Sequence, residues 1–151
     1  MLLFGGSKKA DKYLKNYING KLISPQGEQY IDNYNPALGQ VYSYLPDSDE
    51  RDVAAAVEAA ENAFVEWSKA SIDVRSRILM RVADVIEQNI DVLAAAESED
   101  NGKPISLATK VDIPRASDNF RFFATGIRHY ASQAHQMTNT AINYTLRKPI
   151  G

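Results

Sequence analysis

The chain has 151 residues, of which 44% are hydrophobic and 24% are charged, as in an ordinary globular protein. A chain of this length buries about 70% of its unfolded surface in one core, which leaves little room for two full domains. The 17 lysines and arginines against 19 acidic residues give a net charge of −2, which disfavours nucleic acid as a partner. The absence of cysteine excludes disulfides, thiolate metal ligands and a cysteine nucleophile from these residues.

The N-terminal residues are unlike an export signal. Their apolar run ends at Phe4, and the lysines at positions 8, 9, 12 and 15 follow that run, whereas a secretory signal places its basic residues first. No apolar stretch reaches the about 20 residues that cross a bilayer, and the lack of cysteine suits a reducing compartment. We therefore expect a cytoplasmic chain that does not enter a membrane, with residues 1–15 as a mobile, lysine-rich tail.

Two β-hairpins are predicted after this tail. The first has an Asn19-Gly20 turn between the short β-prone stretches 16–18 and 21–23. The second joins residues 30–34 to residues 41–45 through Asn35-Pro36-Ala37-Leu38-Gly39, where proline presets a turn and glycine closes it.

The hydrophobic period then changes from two to about 3.6 residues, which predicts four helices. The first begins near Asp47, where acidic residues and serine suit a helix N-terminus. The second begins near Ser71, the third runs from Asp91 to about Glu99, and the fourth begins close to Pro114. Apolar stripes mark the first and fourth helices: Val53, Val57, Ala60, Phe64 and Trp67 in one, and Ala116, Phe120, Phe123, Ile127 and Tyr130 in the other.

The C-terminal stretch 141–151 is predicted to form a lone terminal strand. Unpaired backbone groups make such a strand a template for another segment or another subunit. Charge is also segregated, since residues 82–100 carry six acids and no base, whereas residues 119–151 carry four bases and no acid. The two segments either dock on each other or remain solvated, and the solvated interpretation is the favoured one.

Common catalytic patterns are missing from the sequence. The eight glycines form neither a G-x-G-x-x-G motif nor a Walker loop, so no phosphate-binding loop is visible. His129 and His135 are six residues apart, which would place them on different faces of a helix rather than at the i, i+4 spacing of a metal pair. No serine, histidine and acid arrangement indicates a hydrolase triad.

Two local features suit ligands. The helix exit at residues 97–104 combines terminal carbonyls with Asp100, which suits a hard monovalent cation or simply caps the helix. Arg115 lies near the apparent start of the last helix, where a guanidinium and the helix dipole both favour a carboxylate. The alternative is an i, i+3 ion pair between Arg115 and Asp118. From the residues alone, the ordinary cap and the ion pair are the favoured interpretations.

Several motifs, taken together, resemble the N-terminal part of the aldehyde dehydrogenase superfamily in order and spacing. They are Asn16-Tyr17-Ile18-Asn19-Gly20-Lys21, Asn35-Pro36-Ala37-Leu38-Gly39-Gln40-Val41, Glu97-Ser98-Glu99-Asp100-Asn101-Gly102-Lys103-Pro104 and Arg147-Lys148-Pro149-Ile150-Gly151. A further stretch is similar to the subgroup that oxidises 2-aminomuconic and 2-hydroxymuconic semialdehydes: Asp112-Ile113-Pro114-Arg115 followed by Asn119-Phe120-Arg121-Phe122-Phe123-Ala124.

The resemblance spans residues 16–151 and implies an α/β fold. It implies the N-terminal portion of the aldehyde dehydrogenase fold, with β-hairpins, about four helices and the first strand of the oligomerisation arm, in an incomplete Rossmann-type domain. Residues 16–138 correspond to the N-terminal part of the cofactor-binding domain. Residues 139–151 correspond to the start of the arm that pairs across subunits, which implies a homo-oligomer, either a dimer or a tetramer.

In that family a cysteine thiolate attacks the aldehyde, hydride passes from the thiohemiacetal to NAD or NADP, and a glutamate-activated water releases the acid. The family's catalytic cysteine, glutamate, oxyanion-hole asparagine and cofactor loop all follow the part that this chain matches. The resemblance therefore implies a fragment without catalytic residues, which binds no cofactor and oxidises nothing on its own. Its apolar helix stripes, without the rest of the enzyme, predict aggregation or marginal folding.

The resemblance also assigns expected roles to three residues. Arg115 matches a position in the substrate channel, where an arginine of the semialdehyde subgroup is thought to hold the distal carboxylate of the substrate. The backbone carbonyl of Tyr34 and the carboxylate of Asp100 match ligands of a structural monovalent cation, Na⁺ or K⁺.

Two other functions remain open from the sequence. One is a non-catalytic α+β interaction or oligomerisation module that inserts its terminal strand into a longer relative. The other is a free-standing carboxylate-binding protein that uses Arg115.

Overall fold

The first two hairpins form as the turn residues predict. In the computed structural model, which describes residues 12–150, strand β1 (Asn16–Ile18) pairs antiparallel with β2 (Lys21–Ile23). Asn19 and Gly20 have positive φ angles of 49° and 76°, the left-handed conformation that a tight two-residue turn requires. Strand β3 (Tyr30–Asn35) pairs with β4 (Gln40–Pro46), with a register shift between Asn33 and Tyr34.

Part of the expected N-terminal tail lies beside β4. The backbone N–H of Leu14 donates to the carbonyl of Tyr44 over 2.9 Å, and the N–H of Tyr44 donates to the carbonyl of Lys12 over 2.9 Å. The ring of Tyr13 stacks on that of Tyr44 with centroids 4.7 Å apart. Residues 12–15 are therefore ordered on the sheet, whereas residues 1–11 lie outside the described part of the chain.

Helix α1 (Glu50–Trp67) begins with a reciprocal cap. Asp49 Oδ1 accepts from the backbone N–H of Arg51 at 2.9 Å, and Asp52 Oδ2 accepts from the backbone N–H of Asp49 at 3.1 Å. Asp52 is only 2% exposed and also accepts from the N–H of Gln26 at 3.1 Å, which ties the loop after β2 to the helix. The acidic start predicted near Asp47 is confirmed.

The chain divides into two compact units. The first takes in the described residues through Ala60 together with Glu99–Gly102, and the second takes in Glu61–Ser98 and the described residues from Lys103 onward. In the second unit, α2 (Ile72–Gln88) begins at Ser71, whose side chain accepts from the N–H of Val74, as predicted. Helix α3 (Ile90–Asn101) ends at Gly102, whose φ of 74° is the expected C-terminal glycine conformation.

The last long helix is preceded by helical turns that the sequence does not predict. A single turn, α4 (Ile105–Leu107), continues through a π-helical turn at Ala108–Asp112 into α5 (Ile113–His129). The prediction placed a helix start close to Pro114 and assigned no structure to these earlier turns. A π turn carries one residue more than an α turn, so the apolar spacing gives no signal for it.

Helices α2 and α5 pack through small residues. Ser76 and Ala83 of α2 and Ser117 and Ala124 of α5 are all buried. Ser76 Oγ donates to the carbonyl of Ala124 at 2.6 Å, and Ser117 Oγ donates to the carbonyl of Ala83 at 3.2 Å. Each helix thus donates one serine hydrogen bond to a backbone carbonyl of the other helix. In both helices this serine lies seven residues before the buried alanine.

The acidic and basic segments dock on each other, which corrects the solvated interpretation. Arg121 Nη2 lies 2.8 Å from Asp84 Oδ1 and 2.8 Å from Glu87 Oε2, and Ser117 Oγ donates to Glu87 Oε1 at 2.8 Å. These hydrogen bonds, first from Arg121 and then from Ser117, lower the pKa of the Glu87 carboxyl.

The terminal strand ends at Tyr144 and pairs with another segment of this chain, which is one of the two kinds of partner that the sequence left open. Strand β6 (Ala141–Tyr144) forms an antiparallel hairpin with β5 (Ala134–Met137), a strand that was not predicted from the sequence. All eight hairpin residues are exposed, and within residues 12–150 the two strands pair only with each other. The hairpin contains residues on both sides of the expected 138/139 domain boundary.

The helices and paired strands confirm the predicted α/β class. Large apolar side chains remain exposed on the long helices, as the sequence predicts for faces that lack their packing partners: Val53, Val57, Trp67, Ile78, Val85, Phe120 and Phe123. Within residues 12–150, no helix is long and apolar enough to span a bilayer.

Candidate functional site

Arg115 occupies the first turn of α5 with its side chain exposed. Asp112, the last residue of the π turn, and Ile113, the first residue of α5, both have right-handed helical backbone angles, with φ of −70°. Among residues 12–150, Arg115 forms no ion pair, and the predicted partner Asp118 is exposed without one. The Arg115–Asp118 pair favoured by the residues alone is therefore absent from the described structure.

The start of α5 differs from the free helix N-terminus predicted beside Arg115. The N–H of Ile113 donates to the carbonyl of Ala108 across the π turn, and Pro114 has no N–H, so α5 continues the preceding helical turns. The start of α5 consequently offers no free helix N-terminus to an anion. Any preference for a carboxylate at this place comes from the guanidinium of Arg115 itself.

Lys103 forms a charged cluster just before this turn. Its Nζ lies 2.6 Å from Asp112 Oδ2 and 3.4 Å from Glu97 Oε1, and Lys103 and Asp112 side chains are 28% and 31% exposed. The contact with Asp112, reinforced by Glu97 and opposed by partial burial, raises the pKa of Lys103 above its ordinary value. Ser98 Oγ donates to the backbone carbonyl of Lys103 at 2.6 Å and fixes the chain from which the lysine extends.

Asp100 lies beside strand β3 and is held by two donors. Its Oδ1 accepts from Tyr42 Oη at 2.6 Å and from Asn33 Nδ2 at 3.1 Å. The hydrogen bond from Tyr42 and then that from Asn33 lower the pKa of Asp100. Burial and then the bond to Asp100 raise the pKa of Tyr42. These contacts favour the ionised form of Asp100 and hold its carboxylate beside Asn33 of β3 and Tyr42 of β4.

Tyr34 follows Asn33 along β3. Its ring is half exposed, and its hydroxyl donates to Asp32 Oδ2 at 3.2 Å. A carboxylate and a main-chain carbonyl are oxygen donors of the kind that hard cations prefer. Within residues 12–150, no group of three or more His, Asp or Glu side chains forms a metal site.

The histidines take no part in a common site. His129 is the last residue of α5, and His135 lies on β5. The sequence-based placement of both residues on one helix is therefore wrong for His135.

Three residues of this region were not predicted from the sequence: Lys103, Asn33 and Tyr42. Their partners Asp112 and Asp100 lie 9, 67 and 58 residues away along the chain, respectively. Only the family-like motif around residues 97–104 contained a signal for any of them, since it includes Lys103.

Comparison with known proteins defines the class of this chain. The sequence pattern of the aldehyde dehydrogenase family matches residues 22–151. The chain belongs to the aldehyde dehydrogenase family.

Curated relatives give a finer likeness. The chain is 47% identical over 139 residues to the 2-aminomuconic semialdehyde dehydrogenase of Bos taurus and 45% identical over 139 residues to that of Homo sapiens. Each match covers 91% of this chain and 28% of the relative. An aldehyde dehydrogenase of Vibrio cholerae is 41% identical over 136 residues, which covers 90% of this chain and 27% of the relative.

Solved structures agree with the fold. The NAD⁺ complex of aldehyde dehydrogenase from Bacillus cereus superimposes with a TM-score of 0.84 at 32% identity, covering 88% of this chain and 28% of that one. A mutant indole-3-acetaldehyde dehydrogenase of P. syringae, in complex with NAD⁺ and IAA, superimposes with a TM-score of 0.85 at 28% identity. That match covers 89% of this chain and 28% of the other. The chain thus spans somewhat more than a quarter of the length of these proteins.

Proposed function

We propose that this chain forms the N-terminal part of an NAD(P)-dependent aldehyde dehydrogenase that oxidises a carboxylated semialdehyde of the muconic type to the acid. The reaction would proceed through a cysteine thiohemiacetal, and the thiolate must come from outside these residues because they include no cysteine. The contribution of the chain would be a scaffold and one wall of the substrate channel. NAD or NADP would supply the hydride acceptor in the complete enzyme.

The observation that carries the proposal is the state of Arg115. Its guanidinium is exposed at the start of α5 and forms no ion pair within residues 12–150. An arginine available in this way binds a carboxylate through two parallel N–H···O hydrogen bonds. The relatives named 2-aminomuconic semialdehyde dehydrogenase, at 45% to 47% identity, support a substrate that carries a carboxylate.

The size of the expected effect follows from the strength of such a contact. A hydrogen bond to a charged group contributes about 1.5–3 kcal/mol, and each 1.4 kcal/mol changes an equilibrium constant about tenfold. Loss of the arginine should therefore weaken binding of a carboxylated aldehyde about 10- to 100-fold. A neutral aldehyde of equal length makes no such contact and should be unaffected.

The test uses an enzyme that carries this segment: the product of the whole reading frame, or the bovine relative with this chain in place of its matching region. Arg115→Ala should raise the KM for adipic semialdehyde about 10- to 100-fold and leave the KM for hexanal unchanged. Arg115→Lys keeps the charge but loses the bidentate geometry, so it should give an intermediate KM. Equal KM changes for both aldehydes would overturn the proposal.

A structural monovalent cation is a further part of the proposal. The carbonyl of Tyr34 and the carboxylate of Asp100 would be two of its ligands, in the neighbourhood held by Asn33 and Tyr42. The low pKa of Asp100 supports this role because a deprotonated carboxylate is the form that binds Na⁺ or K⁺.

Assembly and location complete the proposal. Residues 16–138 would belong to the cofactor-binding domain of a cytoplasmic enzyme, and residues 139–151 would begin an arm that pairs between subunits of a homo-oligomer. The exposed β5–β6 hairpin supports this arm. The same hairpin favours the second candidate, a non-catalytic module that pairs with a longer relative. An enzyme carrying this segment that oxidises no aldehyde, while the isolated chain binds a full-length relative, would favour that module.

A further inference from the structure

The position of Asp112 creates a problem for a substrate-binding arginine. Asp112 and Arg115 are three residues apart: Asp112 ends the π turn with right-handed helical backbone angles, and α5 begins at the next residue. Residues at this spacing are neighbours on a helix surface, with Cβ atoms about 5–6 Å apart. A free carboxylate at position 112 would therefore be a ready partner for Arg115 and would compete with any carboxylate from solution.

In the structure Asp112 is paired elsewhere. Its Oδ2 is buried and lies 2.6 Å from Lys103 Nζ, whereas Arg115 has no ion pair within residues 12–150. The lysine approaches Asp112 from before the π turn, on a chain segment held by the hydrogen bond from Ser98 Oγ to the Lys103 carbonyl. Lys103 and Arg115 are thus both candidate partners of the Asp112 carboxylate, and in the structure Lys103 forms the ion pair.

We infer that Lys103 is a specificity-determining positioning residue: by neutralising Asp112, it keeps the guanidinium of Arg115 available for the carboxylate of the substrate. The inference rests on the proposed function, because it concerns the same arginine. Lys103 does not touch the substrate in this scheme. It acts only through Asp112.

The inference makes an asymmetric prediction for the two members of the pair. Removing the lysine leaves Asp112 charged and unpaired, so that Asp112 turns to Arg115. Removing the charge of Asp112 leaves nothing to capture Arg115, even though the same ion pair is lost. A purely structural ion pair would instead make the two changes equivalent.

The experiment measures kcat and KM for adipic semialdehyde and hexanal in the same enzyme used for Arg115. Lys103→Gln should raise the KM for adipic semialdehyde about two- to fivefold, the strength of a partly exposed ion pair, with kcat and the values for hexanal unchanged. Asp112→Asn and the double variant Lys103→Gln/Asp112→Asn should keep the original KM. Lys103→Arg, which preserves the charge, should keep it as well.

Control variants separate the two proposals. Glu97→Gln removes the other acid beside Lys103 and should change neither KM, and a thermal melt of each variant checks its fold. If Arg115→Ala discriminates between the aldehydes but Lys103→Gln does not, the inference is overturned and the proposed function stands. Equal KM increases for Lys103→Gln and Asp112→Asn, without recovery in the double variant, also overturn the inference. If Arg115→Ala has no selective effect, both fail.

Discussion

The α2–α5 helix pair and the β5–β6 hairpin differ in how far their residues are buried. The helix pair buries four small residues, joins the backbones through two serines and adds the Arg121 ion pairs. The eight hairpin residues are all exposed, and within residues 12–150 the two strands pair only with each other. Since an isolated two-stranded hairpin is marginally stable in water, the stability of this unit comes from the helices.

Overpacking the helix contact should have the largest effect. Ala124 is fully buried beside Ser76, so Ala124→Leu forces α5 away from α2 and should lower the free energy of unfolding by about 1–3 kcal/mol. Urea unfolding followed by the fluorescence of the single tryptophan, Trp67, measures this change. Phe123→Leu is the matched control, because Phe123 is 65% exposed and its replacement should change stability by less than about 0.5 kcal/mol. Similar losses for both variants would contradict the close packing of α2 on α5.

A smaller, pH-dependent effect is expected at the edge of the same contact. Arg121 and Ser117 lower the pKa of Glu87, so this carboxylate stabilises the fold fully above its unfolded pKa of about 4.3. The stabilisation is lost as the pH falls through the lower folded pKa. Glu87→Gln should therefore reduce the fall in the urea midpoint between about pH 5 and pH 2. Parallel pH profiles for the variant and the original chain would show that the docking of Arg121 contributes nothing.

The smallest effect on the chain itself is expected in the hairpin. Ile142 is exposed on β6, so Ile142→Thr should leave the urea midpoint of the chain unchanged. In an enzyme that carries this segment, the same change should weaken subunit association, measured by sedimentation at several protein concentrations. A lower urea midpoint with unaltered association would mean that the hairpin serves its own chain rather than a partner.

The sequence predicts what is local in this molecule. The turns at Asn19-Gly20 and Gly39, the cap at Ser71 and the exit at Gly102 depend on a few neighbouring residues, so composition and spacing reveal them. The Ser76–Ala124 and Arg121–Glu87 contacts join residues 48 and 34 positions apart, and no local pattern encodes them. The apolar stripes of the helices were predicted from the sequence, yet in the structure they lie on exposed faces. Periodicity identifies which face of a helix is apolar but not what packs against that face.

The candidate site follows the same division. The motifs around residues 97–104 and 112–115 led to Asp100 and Arg115, and the family resemblance, rather than the residues alone, gave them roles. Which acidic residue could pair with Arg115 depends on the folded structure and could not be predicted from the sequence. The sequence offered Asp118, whereas within residues 12–150 Asp118 forms no ion pair and Lys103 pairs with Asp112.

The π turn at Ala108–Asp112 has a consequence for how the specificity of the proposed substrate channel could change in evolution. One residue more or less at this turn rotates every later side chain of α5 by about 100° about the helix axis. The amino acid presented to an incoming molecule can therefore be exchanged by an insertion or deletion in a single step. If Arg115 lines a substrate channel as proposed, selectivity there would depend on helical phase as well as on side-chain identity.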